Sequence, residues 1–150
     1  YYPAFSTVLN NKLYFTNKGN ATVSVINILG LLESTINVGN GPESIVGLNN
    51  KIYVANTSDN TISIRDISNN TTSTLSVPGG PNDPTRLRIL NNKVYVVNTN
   101  TGIVYSISNS DIIENIFYAS GTINDIELLN NKLYMSVVSL TGSSSIKIFS

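Results

Sequence analysis

The sequence predicts an all-β chain built as blades of a β-propeller, and three observations carry that expectation. A hexapeptide frame returns four times, as Leu9-Asn10-Asn11-Lys12-Leu13-Tyr14, Leu48-Asn49-Asn50-Lys51-Ile52-Tyr53, Leu90-Asn91-Asn92-Lys93-Val94-Tyr95 and Leu129-Asn130-Asn131-Lys132-Leu133-Tyr134. Its leucines stand 39, 42 and 39 residues apart, the period of a radial array of small sheets, because one such sheet cannot bury both of its faces alone. Between the frames run short alternating or β-branched stretches, broken by Asn, Asp, Ser and Gly, which tolerate the left-handed conformations of tight hairpins.

Blade one is expected over residues 3–40, blade two over 42–80, blade three over 84–121 and blade four over 122–150. Blade two is the clearest. Residues 42–48 form its innermost strand and Asn49-Asn50 turn the chain into 51–56. Ser58-Asp59-Asn60 turn it into 61–67, and 72–77 close the sheet, giving four antiparallel strands. Blades one and three follow the same template. The longer spacing before blade three falls in Pro81-Asn82-Asp83-Pro84, where two prolines force an extended or turning connection between blades. Blade four has strands over 123–129, 132–137 and 145–149 but no outer strand, so the fold class is about three complete four-stranded blades plus most of a fourth. Tyr1 and Tyr2 are too few to supply the missing strand. An unpaired edge and two unburied blade faces invite association. The chain is therefore expected to be part of a larger propeller, or to assemble with other copies, with a self-contained four-bladed ring as the competing architecture.

Composition narrows the function classes. Only 12% of the 150 residues are charged, about half the usual ~25%. Nine basic and nine acidic residues cancel, which leaves no electrostatic footprint for nucleic acid or an anionic membrane. Asn, Ser and Thr supply the polar surface instead, as suits an extracellular or cell-surface protein. No apolar run approaches the ~20 residues of a membrane span. Cysteine and histidine are absent, which disfavours a thiolate metal site and a nucleophilic triad. The carboxylates show no calcium-loop frame, so neither metal nor cofactor is expected. Gly39, Gly41, Gly79 and Gly80 fall in exits from outer strands, where glycine serves positive φ rather than phosphate binding.

Tyr53-Val54-Ala55-Asn56, then Asp59-Asn60-Thr61-Ile62-Ser63-Ile64 and a Val77-Pro78-Gly79-Gly80-Pro81 exit, resembles the tandem YVTN repeat of surface-layer-type propellers. Tyr95-Val96-Val97-Asn98 and Tyr14-Phe15-Thr16-Asn17 continue the likeness, and blade one exits through Val38-Gly39-Asn40-Gly41-Pro42. Blade four departs: Tyr134-Met135-Ser136-Val137 lacks the Asn, which puts its second turn in doubt. The resemblance implies an extracellular or periplasmic propeller without assigned catalysis. Tyr14, Tyr53, Tyr95 and Tyr134 are expected to pack between blades with their hydroxyls partnered near the sheet edge. Asn17, Asn56 and Asn98 are expected to satisfy turn amides.

Aligning the innermost strands on their leucines places Phe5 and Thr7, Ser44 and Val46, Arg86 and Arg88, and Asp125 and Glu127 at equivalent positions. Residues two apart share a face of a strand, so pairs Arg86 with Asp125 and Arg88 with Glu127 are expected across blades three and four. They would neutralise one another in a wet channel or line a ligand site at its mouth, where arginine could hold a carboxylate or an anionic saccharide. Four Asn-X-Ser/Thr acceptor patterns begin at Asn20, Asn56, Asn69 and Asn70, of which Asn20 and Asn70 are the better glycosylation candidates.

The function expected is a non-enzymatic extracellular module for surface architecture or adhesion, binding proteins or glycans through loops between blades. The main rival is a propeller enzyme acting on a carbohydrate or lactone through Arg86, Arg88, Asp125 and Glu127. A viral or appendage surface-decorating protein is a third reading.

Overall fold

The structure of the chain, a computed structural model, describes residues 3–79 and 84–150, and every regular element among them is a strand. The first sheet holds β1 (Pro3–Leu9), β2 (Lys12–Asn17), β3 (Thr22–Ile26) and β4 (Leu32–Asn37). The second holds β5 (Pro42–Leu48), β6 (Lys51–Asn56), β7 (Thr61–Asp66) and β8 (Thr71–Ser76). The third holds β9 (Arg86–Leu90), β10 (Lys93–Asn98), β11 (Ile103–Ile107) and β12 (Ile113–Tyr118). The fourth holds β13 (Thr122–Leu129), β14 (Lys132–Val138) and β15 (Ser144–Phe149). In each sheet the strands pair antiparallel in chain order, three sheets having four strands and the last three. These are the blades of a propeller. Most of the extra spacing before the third blade, Pro81-Asn82-Asp83, lies outside the described residues, as do Tyr1 and Tyr2.

The repeated Asn-Asn pair explains the register. Asn10 and Asn11 have φ of 50° and 58°, Asn49 and Asn50 of 50° and 60°, Asn91 and Asn92 of 45° and 57°, and Asn130 and Asn131 of 49° and 61°. Two consecutive left-handed residues make the hairpin turn whose twist matches the flanking strands, and asparagine is among the few residues that adopt it cheaply. Leu9 then pairs with Lys12, Leu48 with Lys51, Leu90 with Lys93 and Leu129 with Lys132. Each hairpin starts from the same rung, which fixes which side chains face which neighbour.

The core lies in slices between successive blades. Tyr14, Val23 and Val25 of blade one pack with Ile45, Ile52 and Val54 of blade two. Tyr53, Ile62 and Ile64 of blade two pack with Leu87, Val94 and Val96 of blade three, and Tyr95, Val97 and Val104 of blade three with Leu133, Met135 and Val137 of blade four. Each blade therefore turns its repeated tyrosine toward the blade that follows and the residues flanking it toward the blade before. Ile52, Val54, Ile62 and Val104 are fully buried, and each such side chain contributes about 1.5–3 kcal/mol. The tyrosine expectation holds for packing at Tyr14, Tyr53 and Tyr95, which are buried, whereas Tyr134, in the last of the four sheets described, is only half-buried.

Blade four does make its second hairpin without the asparagine. β14 runs one residue longer than β2, β6 or β10. The Ser139 hydroxyl lies 2.8 Å from those of both Thr141 and Ser143, and Ser139 and Ser143 close the turn through a 2.9 Å backbone hydrogen bond. A cluster of hydroxyls replaces one amide.

Candidate functional site

The first strands of successive blades stand side by side. A Cβ on Gly47 would come within 3.1 Å of the Leu9 Cβ, and the Leu87 N–H donates to the Ser44 Oγ at 3.0 Å. Three of the four first strands carry a bulge near the start, between Pro3 and Ser6 in β1, Pro42 and Ser44 in β5, and Ile123 and Asp125 in β13. A bulge leaves a backbone N–H without its ladder partner. In blades one and four a hydroxyl of the second strand accepts it, Thr16 from Phe5 and Ser136 from Asp125, each at 3.0 Å. Blades two and three have Ala55 and Val97 there, and in blade three the Leu87 N–H, one residue further along the strand, donates to Ser44 of the neighbouring blade.

This geometry corrects the expected charge pairs. Arg88 Nη2 meets Asp125 Oδ1 at 2.6 Å, and Arg86 Nη1 donates to the Asn124 carbonyl at the bulge. Glu127 pairs with neither arginine; its Oε1 accepts from the Leu128 N–H at 3.1 Å. The reason is rotational. Equivalent positions in successive blades point in the same sense around the ring, so Arg86 and Arg88 lie on the face of β9 that carries Leu90, toward blade four. Asp125 and Glu127 lie on the opposite face of β13 from Ile126 and Leu128, which pack toward blade three. The acidic pair therefore faces away from blade three, and only Arg88 reaches round to Asp125. The Arg88 and Asp125 side chains remain 45% and 59% exposed, and a pair in such contact with water is worth under about 1 kcal/mol. Asp125 and Glu127 share with Tyr134, Ser136 and Ile146 a shallow concavity of about 270 Å³ on the free face of blade four.

A second charged cluster, between blades two and three, escaped sequence reasoning. Lys51 Nζ lies 2.6 Å from Asp111 Oδ2, and the Tyr53 hydroxyl donates to Asp111 Oδ1 at 3.1 Å. Lys12 and Lys93, which occupy the Lys51 position, pair instead within their own blades with Glu33 and Glu114 of the outer strand. Blade two has Thr72 at that outer-strand position, so its lysine turns to the next blade. Burial foremost, then the Asp111 charge and the hydrogen bond to it, push the Tyr53 phenol far above its usual pKa. The pairing with Glu33 and with Glu114 raises the Lys12 and Lys93 ammonium groups as well. The missing acid in blade two was the available signal. A third tie links three blades, with Lys18 Nζ 2.9 Å from Glu43 Oε2, the Thr57 hydroxyl donating to the same oxygen at 3.2 Å, and that hydroxyl 3.0 Å from the Pro84 carbonyl.

The acceptor patterns separate by burial. Asn56 is fully buried and its Nδ2 donates to Thr61 Oγ1 at 3.0 Å and Ser63 Oγ at 2.8 Å, so it is no candidate for modification. Asn17 makes the same two contacts with Thr22 and Ser24, at 3.1 and 2.9 Å. The asparagine side chains thus donate to hydroxyls of the third strand rather than accept turn amides, since Asn17 pairs with Thr22 and Asn56 with Thr61 in the ladder. In blade three Ile103 and Tyr105 replace those hydroxyls, and Asn98 Nδ2 reaches the Pro78 carbonyl at 3.3 Å. Asn20, Asn69 and Asn70 are exposed. Asn69 Oδ1 is held by the Thr71 N–H at 3.0 Å and hydroxyl at 2.7 Å, and Asn70 Oδ1 accepts from Arg65 Nη2 at 3.0 Å. Among the described residues no group of three or more His, Cys, Asp or Glu could hold a metal ion, and no helix is long and apolar enough to cross a membrane.

No protein-family model matches the chain, and no curated protein matches it in sequence. Solved structures match it as a fold. A catalytically inactive His-to-Ala variant of virginiamycin B lyase from Staphylococcus aureus, crystallised with quinupristin, superposes on 98% of this chain with a TM-score of 0.76 and 15% identity, over 55% of its own length. The computationally designed Ika4 protein matches 97% of the chain and 89% of itself, with a TM-score of 0.73 and 13% identity. BamB from Moraxella catarrhalis matches 95% of the chain and 42% of itself, with a TM-score of 0.68 and 13% identity. The chain spans about half the length of the lyase structures, 54% in one of them. At these identities the likeness is one of propeller fold.

Proposed function

We propose that this chain is a non-enzymatic propeller module of an extracellular or cell-surface protein, serving surface architecture or adhesion by presenting its blade-edge loops to proteins or glycans. The observation that carries the reading is where the charges go. Arg88 with Asp125, Lys51 with Asp111, and Lys18 with Glu43 join one blade to the next, which leaves a loop surface dominated by neutral Asn, Ser and Thr. Groups engaged in mutual pairing link neighbouring blades, whereas catalytic carboxylates sit where burial and neighbouring charges perturb them. The likeness of Tyr53-Val54-Ala55-Asn56 and Tyr95-Val96-Val97-Asn98 to the YVTN repeat supports the same location. Exposed acceptor sites at Asn20, Asn69 and Asn70 agree with it.

The rival reading, a carbohydrate- or lactone-directed enzyme, draws on the concavity that contains Asp125 and Glu127. Against it, the matched lyase is inactive in a form that has lost a histidine, and these residues contain none. The test is labelling of intact producing cells with a membrane-impermeant amine reagent, followed by a glycan and protein binding screen of the purified chain. Labelling before lysis and saturable binding support the proposal. Protection until lysis, or turnover of a screened sugar or lactone that Asp125→Asn abolishes, would refute it.

A further inference from the structure

We propose that the junction of blades one and two binds one carboxylate group, in the place that the Asp111 carboxylate fills between blades two and three. All of its residues lie between two adjoining sheets, and the site is independent of the location and the loop binding proposed above.

The two junctions share one plan. Lys51 and Tyr53 of blade two both reach Asp111 of blade three, Lys51 Nζ at 2.6 Å from Oδ2 and the Tyr53 hydroxyl at 3.1 Å from Oδ1. Lys12 and Tyr14 are the same two residues of the repeated frame in blade one. Asp111 has φ 61° in the turn between β11 and β12, and the left-handed residue in the turn between β7 and β8 is Asn70, at φ 62°. The junction of blades one and two thus has a neutral amide in place of the carboxylate. It also has an additional cation. Ile52 pairs with Arg65 as Val94 pairs with Ile107, so Arg65 stands where the later junction has an apolar side chain.

Lys12, Tyr14, Ser34, Arg65 and Asn70 line a cavity of about 100 Å³ at this junction. That is the share of about three water molecules at ~30 Å³ each, enough for a carboxylate and its first carbon and too little for a sugar ring. Asn70 is exposed and the Lys12 side chain is 43% exposed, so the group can enter from solvent. Two donors in the lining are unpartnered among the described residues. Tyr14 is 1% exposed and its hydroxyl makes no hydrogen bond; burial foremost raises its pKa, so the hydroxyl keeps its proton. Arg65 Nε is buried without a partner, while Nη1 donates to the Asn70 carbonyl and to Thr72 Oγ1 and Nη2 donates to Asn70 Oδ1. Those acceptors are all uncharged. Glu33 is already paired with Lys12, and Asp66 projects from the opposite face of β7, where its Oδ1 accepts the Ser68 N–H. Two cations against one carboxylate leave the junction positive, whereas Lys51 and Asp111 cancel. Water could accept the two hydrogens but would leave the charge; a carboxylate accepts both and offsets it.

The test moves the chain stepwise from sodium chloride into sodium acetate at constant ionic strength and pH 7, following the Arg65 Nε–H signal by proton–nitrogen NMR. A saturable shift of that signal is expected, with a higher urea midpoint in acetate than in chloride, because a ligand that binds only the folded chain stabilises it. Arg65→Ile installs the residue type that blade three already carries at this position; it should stay folded by circular dichroism and lose the acetate-dependent rise. Tyr14→Phe removes one hydrogen bond to a charged group and should weaken acetate about tenfold or more. Asn70→Asp supplies a carboxylate from the chain and should weaken acetate at least as much while raising the midpoint in chloride. Glucuronate in place of acetate distinguishes a small free acid from one carried on a sugar, and saturation by either supports the site. A shift linear in acetate and shared by the exposed arginines means an adventitious ion only and overturns the proposal. So does an equal shift with uncharged glucose, a Tyr14→Phe variant that binds acetate as the parent does, or a folded Arg65→Ile variant that keeps the acetate-dependent rise.

Discussion

Replacing Tyr53 by Phe isolates one contact between blades two and three. The ring stays packed among Ile62, Ile64, Val94 and Val96, so no cavity opens and only the hydrogen bond to Asp111 Oδ1, 3.1 Å long, is lost. A hydrogen bond to a charged group contributes about 1.5–3 kcal/mol. Here Asp111 keeps Lys51 at 2.6 Å and is 24% exposed, so water can replace part of what the phenol supplied, and about 1–2 kcal/mol is expected. Urea unfolding at pH 7, followed by far-ultraviolet circular dichroism, reads that loss as a lower midpoint at unchanged slope. The same substitution made in an Asp111→Ala background should cost under about 0.5 kcal/mol, because the partner is already gone. Equal stability of Tyr53→Phe and the parent, or an equal loss in both backgrounds, would show that the contact does not tie the blades. The pH dependence has a definite sign. The folded state raises the Tyr53 pKa above its unfolded value near 10, so it holds the phenolic proton more tightly than the unfolded chain. That contribution is complete below about pH 10 and is lost as the pH rises toward the folded value. Tyr53→Phe should therefore flatten the alkaline limb of the stability profile.

Three further outcomes are expected. Gly102→Ala should lower stability by more than about 2 kcal/mol in thermal unfolding, because the new Cβ would meet the Gly121 carbonyl oxygen at 2.2 Å. The equivalent Ala21, at φ 52°, shows that the left-handed backbone alone is tolerated. Arg88→Ala should change stability by less than about 1 kcal/mol, since its ion pair is half in water; a larger loss in urea unfolding would mean that the seam between blades three and four depends on charge. Glycopeptide mapping of the native protein should find hexose-sized additions at Asn20 or Asn70 and none at Asn56, and an occupied Asn56 would contradict its burial beneath Gly39.

The local layer of this protein was legible in its residues. The Asn-Asn pairs specify left-handed hairpins, each hairpin sets a two-residue alternation, and the period near 40 residues sets the blade, so strand number and register follow from short-range rules. The repeated tyrosines could be read as interblade packing for the same reason. The charged seam was legible only in part. Arg86, Arg88, Asp125 and Glu127 do fall at equivalent positions on adjoining strands, but alignment treats two blades as facing one another, whereas rotation about a common axis points equivalent side chains the same way. That geometry sends Arg88 to Asp125, Arg86 to the Asn124 carbonyl and Glu127 to neither. The direction of Lys51 was likewise decided in three dimensions: with Thr72 in place of an outer-strand acid, the nearest carboxylate belongs to Asp111, 60 residues away in the chain. Asparagine burial follows the same division. Asn20 and Asn56 both begin an Asn-X-Ser/Thr pattern, yet one sits in an exposed turn and the other beneath Gly39 with two hydroxyls on its amide. Sequence by itself determined what each blade is, because a blade is held by neighbours in the chain. Tertiary structure alone decided which charges meet and which amides are covered, because those depend on the rotation between blades, a quantity that no single repeat contains.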